Sequence, residues 1–137
     1  MKRHKAGKRR KVGTFYIEAE LANTRRPERT VTVPKLLVDS GAECTWIPEP
    51  ILRELGIRVE KKDLVFQMAD GRTITRSIGY AIVRAAGFVT VDEVIFAQPG
   101  DLLILGARTL EGFGAQVDPR NKRLVASGPH PAALALR

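Results

Sequence analysis

Cysteine is nearly absent from this 137-residue sequence, with Cys44 standing alone. One thiol excludes an intrachain disulfide and supplies too little sulfur for a multi-cysteine zinc site. Histidine is almost as scarce: His4 and His130 lie near opposite ends, which argues against a histidine metal cluster. Aromatic residues make up only 6%, so aliphatic side chains must fill most of any core. The longest apolar runs, residues 102–105 and 132–136, fall far short of the roughly 20 residues of a membrane-spanning helix, and a soluble protein with no membrane partner is expected. Acidic residues are missing from the first eleven positions, where seven Lys and Arg stand.

The remaining composition is that of an ordinary globular chain, with 44% hydrophobic and 28% charged residues, and the length suits one domain. The formal charge is +8. Setting aside Lys2, Arg3, Lys5, Lys8, Arg9, Arg10 and Lys11 leaves sixteen basic against fifteen acidic residues, so the body is nearly neutral. Residues 1–13 read as a basic tail, whose expected partners are at most weakly held polyanions. A basic start with no apolar stretch does not resemble a secretory signal, and a cytoplasmic chain is expected.

Alternation of Phe15, Ile17, Ala19 and Leu21 over residues 14–21 predicts a half-buried strand. Residues 23–28, with Pro27, read as a turn, and residues 30–38 as a returning strand whose end is apolar on both faces. Residues 48–55 form the first credible helix, with proline in its first turn and Gly56 as its stop. Residues 63–68 and 73–80 flank Asp70-Gly71, a dipeptide suited to a type I′ turn. Residues 78–84 and 88–96 form another hairpin around Ala85-Ala86-Gly87. A short strand at 102–105, a helical turn at 107–111 closed by Gly112, and a last hairpin of 115–117 with 123–126 complete an all-β chain with one or two short helices. The domain is expected to span residues 14–126, with a loose tail at 127–137.

Asp39 is the carboxylate placed where chemistry would put it. It ends an apolar strand and is followed by a hydroxyl and a glycine, so it should be partly buried with a backbone free to turn. Taken alone, Asp-Ser-Gly is also an ordinary turn sequence. The wider stretch Leu36-Leu37-Val38-Asp39-Ser40-Gly41-Ala42-Glu43-Cys44-Thr45 closely resembles the active-site loop of retropepsin-like aspartic proteases. Leu103-Ile104-Leu105-Gly106 followed by residues 110–114 is similar to the family's second motif and its helix, and residues 66–80 fall where the family carries its flap.

The resemblance implies a closed retropepsin-like β-barrel and an aspartic endopeptidase needing neither metal nor cofactor. Such chemistry requires two carboxylates sharing one proton. Asp63, Asp70, Asp92, Asp101 and Asp118 lack a following Ser/Thr-Gly, so the family relationship implies a homodimer in which each subunit supplies one Asp39. Carried over by position, Asp39, Ser40 and Gly41 are the catalytic residues, with Ser40 bracing the two loops across the dimer axis. Ala42 and Glu43, together with Gly41, receive the backbone of a peptide or protein substrate. Met68, Ala69, Asp70 and Gly71 belong to the flap, and Ile104 to a pocket wall. The sequence departs from many retroviral members at Ala107, where they carry Arg; here the Arg is at 108, which leaves open an ion pair with the acidic residue of the loop. Cys44 has no nearby His and reads as a small buried thiol rather than a nucleophile. Two alternatives stand beside the peptidase: a catalytically weak dimerisation or interaction module of the same fold, and a nucleic-acid-associated β-barrel using the basic tail.

Overall fold

The computed structural model describes residues 14–132; the basic segment 1–13 and residues 133–137 lie outside the described residues. The chain starts with two long antiparallel strands, β1 (Phe15–Asn23) and β2 (Arg26–Val38). Tyr16, Glu18 and Glu20 of β1 face solvent while Ala19 and Leu21 are buried, as period-2 alternation requires. The turn is tighter than expected. Asn23 already pairs with Arg26, leaving Thr24 and Arg25 as the loop, and Asn23 Oδ1 accepts the Arg25 N–H at 2.9 Å. Pro27 lies inside β2. Between Ile17 and Ala19 the register shifts opposite Pro34-Lys35, where a proline has no N–H to give the ladder.

Strand β3 (Thr45–Pro48) leads into helix α1 (Glu49–Glu54), with Pro48 at its N-cap and proline also in the first turn. Gly56 follows the helix at φ 73, the left-handed conformation that glycine adopts without steric cost. β4 (Lys61–Gln67) and β5 (Thr73–Ala85) form the next hairpin, and β6 (Phe88–Ala97) pairs with the second half of β5. The two segments read separately as 73–80 and 78–84 are thus one 13-residue strand. The type I′ turn belongs to the second hairpin. Ala85 pairs with Phe88, and Ala86 and Gly87 have φ of 52 and 87. At the tip of the β4–β5 hairpin only Gly71 has positive φ. Its N–H bonds Met68 O at 2.9 Å and Met68 N–H bonds Arg72 O at 2.7 Å, the pattern of a three-residue loop closed by a left-handed glycine.

β7 is only Ile104–Leu105; helix α2 (Ala107–Phe113) runs through Gly112 and ends at Gly114, φ 68, two residues later than expected. β8 (Ala115–Asp118) and β9 (Arg123–Ala126) form a separate two-stranded sheet. The main sheet runs β3-β6-β5-β1-β2-β7, with β4 on β5. Two contacts are parallel, β3 with β6 and β2 with β7. The fold is mostly β with two short helices among the described residues. The expected closed barrel is not formed: the order has two ends, β3 and β7, which are not paired. Two-residue β7 is too short to carry a second ladder, and its neighbour Gly106 bonds β3 through a side-chain oxygen instead, Gly106 N–H to Thr45 Oγ1 at 2.9 Å. Leu21, Leu36, Ile47, Leu52, Val83 and Leu105 are fully buried in one core. Among the described residues, no helix is long and apolar enough to cross a membrane.

Candidate active site

The end of β2 is held from both sides. Leu37 and Val38 pair with Ile104 and Leu105, and the Leu37 and Asp39 N–H groups donate to Leu103 O and Leu105 O at 2.9 and 3.1 Å. Burying Leu36 and Val38 while turning Leu37 toward β7 leaves Asp39 half-buried where the strand stops. Asp39 Oδ1 accepts the Gly41 N–H at 2.9 Å, and Asp39 O accepts the Ala42 N–H at 3.1 Å. The loop is therefore folded back on its own aspartate. Gly41 has little room for a side chain, since a Cβ there would stand 3.2 Å from Asp39 Oδ1. Ser40 is exposed, and its hydroxyl makes no hydrogen bond among the described residues.

The two sequence motifs meet. Ala107 N–H donates to Ala42 O at 2.7 Å and Arg108 N–H to Glu43 O at 3.0 Å. The Arg108 guanidinium lies 3.1 Å from Glu43 and 3.1 Å from Glu93, so the ion pair left open by the shifted arginine is present. Glu43, acting most strongly, then Cys44 and Glu93, keep the Arg108 pKa above its ordinary value. Gly106 is needed at the junction for want of space. A Cβ there would come 2.3 Å from Cys44 O and 3.0 Å from Ala42 O. Cys44 is half-buried, and burial, followed by the charge of Glu43, pushes its thiol pKa up, which agrees with an unreactive small side chain.

The other expected residues lie elsewhere. Ile104 is buried in β7 beside Leu37. Ala69, Asp70 and Gly71 are exposed at the β4–β5 tip, with Met68 half-buried beneath them. Asp70 accepts hydrogen bonds from the Arg72 backbone and side chain at 3.0 and 2.8 Å, which lower its pKa. Among the described residues, no hydrogen bond or ion pair joins this tip to residues 39–43. The hairpin is tied to the body lower down, by Phe66 against Trp46 of β3 at 5.7 Å between ring centroids and by Lys61 on Glu93. A small polar cleft bordered by Glu49, Arg53, Arg76 and Gln98 includes none of the expected site residues.

Sequence reasoning missed Thr45, Thr109 and Asp92, which form a continuous hydrogen-bonded row beneath the loop. A signal was available for Asp92, a carboxylate inside the β-branched run 89–95.

A half-buried aspartate at a strand end, gripped by a glycine junction from a distant hydrophobic motif, defines the class of protein. The profile of a family described as aspartyl protease matches residues 30–109, more than half of the chain, and the chain belongs to that family. Among solved structures it is similar to the simian foamy virus (mac) protease, determined in solution, at 22% identity and a TM-score of 0.46, over 71% of this chain and 92% of that one. Comparison with curated proteins finds no match.

Proposed function

We propose that the protein is an aspartic endopeptidase that acts as a homodimer, with Asp39 of each subunit forming the catalytic pair. The observation that carries this reading is the state of the carboxylates. Asp70, Asp92, Asp101 and Asp118 are engaged by Arg72, Thr109, Arg76 and Asn121, and Asp63 lies exposed at φ 56 within β4. Asp39 uses only Oδ1, toward Gly41. No second carboxylate of the chain is bonded to it among the described residues, so the partner carboxylate comes from a second copy, as two-fold symmetry supplies when a residue sits near the axis.

In that pair one carboxylate takes a proton from water as the water oxygen attacks the scissile carbonyl carbon. The other gives its proton to the carbonyl oxygen, leaving a tetrahedral diol. Return of a proton to the amide nitrogen then breaks the C–N bond, releasing an amine and a carboxylic acid. Gly41, Ala42 and Glu43 border the substrate. The Ala42 N–H is used inside the loop by Asp39 O and its C=O by the Ala107 N–H, so an extended peptide is read by the exposed Gly41 and Glu43, whose Gly41 C=O and Glu43 N–H make no hydrogen bond among the described residues. The exposed tip at Met68, Ala69, Asp70 and Gly71 closes over the peptide as a flap, and Ser40 bonds across the axis.

The test combines dilution with substitution. Peptide-library cleavage per subunit should fall as sedimentation shows dimers dissociating. Asp39→Asn should abolish cleavage in a protein that still folds, because an amide oxygen can still accept the Gly41 N–H. A fully active monomer, or wild-type cleavage by Asp39→Asn, would refute the proposal.

A further inference from the structure

The proposed use of Asp39 leaves a buried polar row without a role. Thr45 of β3 and Thr109 of α2 are both fully buried, and their hydroxyl oxygens are 2.6 Å apart. Thr109 Oγ1 donates to Asp92 Oδ2 at 3.0 Å. Gly106 N–H donates to Thr45 Oγ1 at 2.9 Å. Since a hydroxyl has one proton and a carboxylate only accepts, the direction of every bond is fixed. The Thr109 proton goes to Asp92, so the Thr45 proton goes to Thr109, and Thr45 is left with a lone pair facing Gly106. Asp92 Oδ1 is taken as well, by the Glu93 N–H at 2.7 Å.

We propose that Asp92, Thr109 and Thr45 are positioning residues for the catalytic loop. Asp92 orders both hydroxyl protons, and the ordered row holds Gly106 by its N–H. Gly106 is the pivot of the site. Leu105 before it accepts the Asp39 N–H, and Ala107 after it donates to Ala42 O. Any drift of Gly106 therefore moves Asp39 and the loop together, and a misplacement of a fraction of an ångström weakens attack geometry. The catalytic consequence rests on the peptidase reading above; the positioning itself does not.

Thr→Val keeps the shape but deletes the oxygen, stranding the Gly106 N–H in one case and the Thr45 hydroxyl in the other. Asp92→Asn keeps the volume, yet the Glu93 N–H and the Thr109 hydroxyl approach different carboxylate oxygens, so the one amide oxygen takes only one of the two positions and the NH2 group faces a donor at the other. The experiment measures amide hydrogen exchange by NMR at Asp39, Gly106 and Ala107, against Leu21 and Val83 in the central strands β1 and β5, together with kcat and KM for peptide cleavage per folded protein. Thr45→Val and Thr109→Val should speed exchange at the three loop amides about tenfold or more, leave the two strand amides unchanged, and lower kcat about tenfold with KM within about twofold. Thr45→Ser should restore both, and Asp92→Asn, altered at the half-buried end of the row, should repeat the loss. Unchanged loop amides would overturn the proposal. So would a parallel rise at Leu21 and Val83, which is the mark of lost global stability, or a failure of Thr45→Ser to restore the loop. If the wild-type protein cleaves no peptide, the peptidase reading fails, and the exchange measurements still decide whether the row positions the loop.

Discussion

Substituting Gly106 by Ala adds one methyl group at the tightest point of the molecule. Its φ is −96, a value that any residue adopts, so the backbone conformation is no obstacle. The obstacle is contact: the new Cβ would stand 2.3 Å from Cys44 O, 2.6 Å from Cys44 C and 3.0 Å from Ala42 O. All three are backbone atoms and cannot rotate away, so the loop must move. Overpacking of this kind costs about 1–3 kcal/mol. Moving apart also stretches the bonds of Gly106 N–H to Thr45 and of Ala107 N–H to Ala42 O, and each buried group left unpaired costs about 1–3 kcal/mol. Against this, Ala restricts the unfolded chain and returns about 0.4–1 kcal/mol. A net loss of about 3 kcal/mol is expected. With a urea m-value of about 1.5–2 kcal/mol/M, the unfolding midpoint should fall by about 1.5–2 M at unchanged m. Gly71→Ala is the control, because nothing lies within 4 Å of its Cβ and φ is +91; the left-handed conformation alone costs about 1–2 kcal/mol. A Gly106→Ala midpoint no lower than that of Gly71→Ala would refute the close-approach argument.

Two further outcomes follow from charge and burial. The Arg76 guanidinium donates two hydrogen bonds to Asp101 at 2.7 and 2.8 Å with both side chains largely covered, and it holds the Asp101 pKa below its ordinary value. A depressed carboxylate pKa means that the unfolded chain binds the proton more readily. The pair's contribution to stability should therefore be complete above the ordinary aspartate value of about 3.9 and vanish as pH falls through the lowered folded value. Denaturant titrations of wild type and Asp101→Asn from neutral to acid pH should show a stability gap that closes on the acid side; a constant gap would contradict the pairing. Cys44, with its pKa raised by burial and by Glu43, should react with iodoacetamide more slowly at neutral pH than a free thiol and reach half its limiting rate above the free-cysteine pKa of about 8.5. A midpoint at or below that value would show that the thiol is not shielded as described.

Much of the site was legible because it is local in sequence. Asp39, Ser40 and Gly41 are consecutive, and an apolar strand running into them fixes both the burial of Val38 and the exposure of Ser40. The second motif was also legible, since two aliphatic residues before a glycine mark a short buried strand that must break. Two turns differ from what the local pattern predicts, for a physical reason. Asp70-Gly71 and Ala86-Gly87 can each satisfy a two-residue hairpin, but strand register decides which does, and register is set by pairing partners far along the chain. Gly112 reads as a helix end because glycine commonly stops helices; packing of α2 against β6, where a Cβ at Gly112 would collide with Thr90 Oγ1, gives it a different reason to be glycine.

The alternation of strands, the near-neutral body behind a basic start, the single Asp-Ser-Gly and the family to which it points can all be read from residue order. Those properties depend on residue type and short spacing alone. Long-range packing alone sets β3 and β7 apart, brings Arg108 to both Glu43 and Glu93, and lines up Thr45, Thr109 and Asp92 beneath Gly106. These residues are up to 64 positions apart in the chain. A hydrogen bond needs its partners within about 3 Å, a condition that no local pattern of residues encodes and that packing of the whole sheet supplies.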